Sequence, residues 1–101
     1  MIALSKPLRL SKEEIKTLKN AIYEQDRDAL VYLFGSRVNS QKRGGNIDIL
    51  ILSDKLTQRD IRTVRITFFQ HFDEQKLDIL LDSKNPNKVF THTILSQAVL
   101  L

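Results

Sequence analysis

The 101-residue chain has no cysteine and no tryptophan, and only two histidines, two prolines and three glycines. Without cysteine there is no disulfide scaffold, no thiolate metal site and no cysteine nucleophile. Two histidines, His71 and His92, are too few for a His-rich metal site and argue against a His-based triad. Long apolar runs are missing too. The longest, Ala29 to Phe34, is six residues, far short of the ~20 that cross a bilayer as a helix. The opening stretch MIALSKPLRLSKEE lacks the apolar segment of a secretory signal. No membrane attachment is expected, and a prokaryotic cytoplasm is the expected location.

What is present describes an ordinary globular chain. Hydrophobic residues make up 42% and charged residues 28%, too apolar for a disordered tail. A chain of this length buries roughly 65% of its unfolded surface, enough for one modest core, and no linker, repeat or low-complexity stretch divides it. One domain over residues 1–101 is expected. Sixteen Lys and Arg against twelve Asp and Glu give a formal charge of +4. A mild excess of this kind suits a nucleotide, a nucleic acid or an acidic protein, and equally a plain solvated surface.

Ser11-Lys12-Glu13-Glu14 has the spacing of a capping box, in which Ser11 and Glu14 satisfy the first free N–H groups of a helix. Ile15, Leu18 and Ile22 follow at helical spacing, so an amphipathic helix is expected to about Gln25. Ala29 to Phe34 reads as a buried strand ended by Gly35. Residues 35 to 46 are polar, hold all three glycines and read as a loop. Ile47 to Leu52 reads as a second strand. Thr57-x-x-Asp60 opens another helix with Ile61, Val64, Phe68 and Phe72 on one stripe, Lys76 to Leu81 is a third strand, and a last helix is expected from about Asn87 with Phe90, Ile94 and Ala98 on one side. The expected fold is therefore α/β (α+β): a small three-stranded mixed sheet with flanking helices, in the order α-β-β-α-β-α. A full helix between the second and third strands implies a parallel crossover, whereas the short link between the first two favours an antiparallel pair.

Side chains alternate along a strand, which puts Asn46, Asp48 and Leu50 on one face of the second strand and Asp78, Leu80 and Asp82 on one face of the third. If these strands are parallel and level, Asp48 and Asp78 meet at one end of the sheet, and the Gly35-Ser36 turn returns to the same end. A buried carboxylate without a partner is costly. A hard cation such as Mg²⁺, shared with substrate phosphates, resolves the cost; so do simple exposure at a strand end or pairing with Arg37 or Arg43. Spacing does not decide between these.

Leu33-Phe34-Gly35-Ser36-Arg37, followed ten residues on by Asn46-Ile47-Asp48-Ile49-Leu50-Ile51, resembles the signature of the DNA polymerase β-like nucleotidyltransferases. The chain's length and element order resemble the minimal nucleotidyltransferase domain of prokaryotic HEPN–MNT toxin–antitoxin pairs. The resemblance covers nearly the whole chain, with Asp78 at the position of the family's third carboxylate. It implies a polymerase β-like fold and transfer of an NMP, AMP from ATP foremost, to a hydroxyl with two Mg²⁺ ions. Gly35, Ser36 and Arg37 would meet the nucleotide triphosphate; Asp48, Asp78 and Asn46 would hold the metals, with Asp78 also activating the acceptor hydroxyl. The acceptor implied is a side chain of a HEPN-type partner protein, and the activity that of an antitoxin.

One departure bears on activity. Asn46 stands where the family has the first Asp of Asp-x-Asp, so the site carries two formal negative charges instead of three and holds metal less tightly. Either a working transferase with a weakened metal site or a degenerate relative that neutralises a toxin by binding alone follows from this. A third possibility is a small nucleic-acid-binding domain, which the basic balance would explain, although direct nucleic-acid binding is not the expectation. Larger relatives carry an additional domain that helps hold the acceptor, so a short chain implies a HEPN-type partner or a second copy, a role that the apolar end Val99-Leu100-Leu101 suits; that end equally suits the last layer of the core. Arg59, Arg62 and Arg65 read as a solvated helix face or a contact for an acidic partner or RNA. Lys42 and Arg43, beside Gly44 and Gly45, suit a triphosphate or plain surface. His71 is placed at a helix C-terminus, where a cation is favoured, His92 at the surface, and Phe68, Phe69, Phe72 and Phe90 in the core.

Overall fold

A computed structural model of the chain describes residues 10–35, 47–72 and 76–101. The first helix, α1, covers Lys12–Gln25. Its capping box closes as the sequence predicts: Glu14 N–H donates to Ser11 Oγ (3.0 Å) and Ser11 N–H donates to the Glu14 carboxylate (2.9 Å). Leu18, Ala21 and Ile22 form its buried stripe. Strand β1 covers Leu30–Phe34 and strand β2 Ile47–Leu52. Helix α2 covers Gln58–His71, started by a second capping box between Thr57 and Asp60, and strand β3 covers Leu77–Asp82.

The chain ends differently from the expected long helix. Helix α3 covers only Val89–Leu95 and is followed by a two-residue strand, β4, at Val99–Leu100. The sheet therefore has four strands, not three, in the order β3-β2-β1-β4. Tyr32 and Leu33 pair antiparallel with Leu100 and Val99, and Leu101 N–H donates to Val31 O at 2.8 Å. Backbone bonding along β1 outweighs further turns of an already short helix. Lys19 of α1 donates to the Leu101 carbonyl (2.9 Å) while lying 5.7 Å from the Tyr23 ring centroid, which pins the chain end to α1. Phe90 is also unlike the expectation. It is 63% exposed rather than core, because it lies in the first turn of a helix only two turns long.

β1 pairs antiparallel with β2, and β2 pairs parallel with β3. Ile47, Ile49 and Ile51 point to the face covered by α1 and α2, where they pack with Leu18, Ile22 and Phe68 among others. Leu50 and Leu52 point to the opposite face and pack under Ile94 of α3. A central strand covered on both faces accounts for the nearly unbroken apolar run of β2. Helix α3 is held to β3 by Thr91 Oγ1, which donates to Asp82 Oδ2 at 2.6 Å. At the C-terminal end of β2, buried Ser53 donates to the buried Asp26 carboxylate at 2.6 Å. The same hydroxyl oxygen accepts N–H groups of Lys55 and Leu56 at 3.1 and 3.0 Å, so one Ser–Asp contact joins the turn after α1 to the turn before α2. The Ser53 hydroxyl holds the Asp26 carboxyl below its ordinary value, against the opposing effect of burial.

Candidate active site

The level, parallel pairing of β2 and β3 sets Asp48 beside Asp78, on strands spaced about 4.8 Å apart. Antiparallel pairing sets Phe34, the last residue of β1, beside Asp48 on the other side. Three chain segments thus converge at the N-terminal ends of β2 and β3. Both carboxylates belong to the sheet face of Leu50 and Leu52, the face under α3.

Gly35 closes the arrangement. Its φ is +75°, a conformation that L side chains avoid, and a Cβ there would overlap the Asp48 carboxylate. Glycine is required twice over at this one position, by backbone conformation and by space. The Gly35 backbone consequently lies directly against the carboxylate, with no side chain of its own between them.

Asp48 is half-buried and Asp78 exposed. Burial raises the Asp48 carboxyl above its ordinary value, and the negative charge of Asp78 raises it further. A carboxylate so placed is relieved by a proton or by a cation. Two adjacent carboxylates with oxygen-only donors are the ligand chemistry of Mg²⁺, so the donor set fits a hard divalent ion. Among the described residues, no group of three or more His, Cys, Asp or Glu side chains gathers for a metal.

Of the residues singled out in the sequence, Gly35, Asp48 and Asp78 come together here. Ser36, Arg37, Lys42, Arg43 and Asn46 lie outside the described residues. Arg59 and Arg62 are exposed on α2, as a solvated helix face requires, while Arg65 is half-buried. His71 is the last residue of α2 and its Nδ1 lies 3.1 Å from Thr67 O; exposed His92 has Nε2 2.9 Å from Pro86 O. Asp82, on the same face of β3 as Asp78, belongs to the α3 anchor instead: the Thr91 hydroxyl and the Ser83 N–H hold its carboxyl below the ordinary value. A cavity of about 530 Å³, lined by Tyr23, Asp26, Arg27 and Lys55 among others, opens at the end of the sheet remote from Asp48. No sequence signal marked it, because its walls come from α1 and from the turn after β2, which only the fold brings together.

The mixed sheet with helices on both faces is consistent with the polymerase β-like nucleotidyltransferase fold. The family described as Polymerase beta, Nucleotidyltransferase matches residues 16–101, and the chain belongs to that family. No curated protein matches the chain. Among the described residues, no helix is long and apolar enough to cross a membrane.

Proposed function

We propose that the protein transfers an NMP, AMP from ATP, to a hydroxyl of a partner protein, a tyrosine of a HEPN-type toxin, and so acts as an antitoxin. The observation that carries this reading is the level pairing of Asp48 with Asp78 against the bare backbone of Gly35. In the reaction, the acceptor oxygen attacks the α-phosphorus, the bond from that phosphorus to the α,β-bridging oxygen breaks, and pyrophosphate leaves. Asp78, exposed at the outer strand, accepts the hydroxyl proton. Asp48, Asp78 and Asn46 would hold Mg²⁺, which supplies neutralisation of the charge on the triphosphate and on the leaving group. Gly35, with Ser36 and Arg37, would receive the phosphates, since a position without a side chain lets the backbone approach them.

The reading is tested by incubating the protein with ATP labelled at the α-phosphate, Mg²⁺ or Mn²⁺, and the product of the adjacent gene. Labelling of that product by the wild type, abolished in Asp48→Ala, is the expected result. Absence of labelling by the wild type, with labelling gained in Asn46→Asp, assigns the protein instead to toxin neutralisation by binding alone. Labelling unaffected by Asp48→Ala rules out this site.

A further inference from the structure

Among the described residues, β3 is an edge strand that pairs with β2 alone. Ile47 N–H donates to Lys76 O (2.8 Å) and Ser53 N–H donates to Asp82 O (2.9 Å). With the level register of Ile47 on Leu77, the parallel pattern turns the backbone groups of Asp78, Leu80 and Asp82 toward β2. The N–H and C=O groups of Leu77, Ile79 and Leu81 therefore face outward. An edge of this kind is a template for another strand, and nothing among the described residues pairs with it.

About Ile79 the segment carries leucine on both sides at Leu77 and Leu81, and opposite charges at its two ends, Lys76 and Asp82. We infer that its occupant is a second copy of the chain, with the two β3 strands antiparallel about a twofold axis through Ile79. This is the register that engages all three outward-facing residues at once, Ile79 with Ile79 and Leu77 with Leu81 of the other copy. On one face it sets apolar side chains opposite each other and extends the core against which Ile79 and Leu81 already pack. On the other face it sets exposed Lys76 of each copy opposite Asp82 of its partner, two cross-strand pairs of opposite charge. Leu80, 38% exposed in the single chain, then lies opposite Asp78 of the other copy. The dimer has a continuous eight-stranded sheet with both Asp48–Asp78 pairs on one face, each flanked by a strand of the other chain. The second copy thus forms one wall of the candidate active site.

Sedimentation equilibrium of the full chain tests this without any ligand. The expected mass is twice the 11.7 kDa of one chain. Lys76→Glu, an exposed position, turns both cross-strand pairs repulsive and is expected to weaken the dimer about tenfold or more. Because the chain has no cysteine, Ile79→Cys gives a clean second readout: mild oxidation should link two chains rapidly, while Ile66→Cys, exposed on α2, should not. A chain monomeric at every concentration overturns the inference. So does a dimer unaffected by Lys76→Glu, or one cross-linked equally through residue 66 and residue 79.

Discussion

Gly35 is the residue with the least tolerance for change. Alanine there must adopt a positive φ and place its Cβ on the Asp48 carboxylate, so Gly35→Ala is expected to cost about 1–3 kcal/mol in chemical denaturation. Two carboxyls respond to pH in opposite directions. Asp26 is held below its ordinary value by Ser53, so it binds its proton less readily in the folded chain than in the unfolded one. It contributes stability above the unfolded carboxylate value, and this is lost as pH falls through its folded value. Asp48 is raised by burial and by Asp78. Its folded form holds the proton more tightly, so stability falls as pH rises from the ordinary carboxylate value through the raised one. Thermal melts from pH 3 to 7 are expected to show less acid destabilisation in Asp26→Asn, and a gain in midpoint at neutral pH in Asp48→Asn.

At the scale of elements, what was legible in the sequence was what local chemistry decides. Both capping boxes, Ser11 with Glu14 and Thr57 with Asp60, close inside four residues and start their helices where the spacing says. The parity that puts Asp48 and Asp78 on one face is equally local, but their meeting also needs a level register between β2 and β3, which the sequence left conditional. Long-range contacts were not legible. Residues from about Asn87 onward keep a helical apolar spacing, yet Val99 and Leu100 become β4 because Tyr32 and Leu33, far away in the chain, offer backbone partners. The same limit misplaced Phe90: periodicity gives it a side of a helix without showing that the sheet lies out of reach. It also hid the Ser53–Asp26 contact, whose partners are 27 residues apart. One such contact makes a prediction for α3, a short helix with no side-chain cap of its own. Thr91→Val removes the hydroxyl that donates to Asp82, so backbone amides of α3 should exchange faster with solvent while those of α1 stay unchanged.

At the scale of the molecule, the candidate site stands at one end of the sheet and the Asp26–Ser53 contact at the other. The Asp26–Ser53 contact ties the turn after α1 to the end where β2 runs into α2, and α3 covers the Leu50 and Leu52 part of the face on which Asp48 and Asp78 sit. The carboxylate pair stands at the opposite end, beside the Gly35 turn. The +4 charge of the chain therefore belongs to surfaces other than this pair, such as exposed Arg59 and Arg62 of α2. A metal–nucleotide site at Asp48 and Asp78 is detected by Mn²⁺ binding in the presence of ATP, followed by paramagnetic resonance. The expected result is binding by the wild type, loss of about tenfold or more in Asp48→Ala, equivalent to at least ~1.4 kcal/mol, and tighter binding in Asn46→Asp. Equal affinity in the wild type and in Asp48→Ala would contradict it.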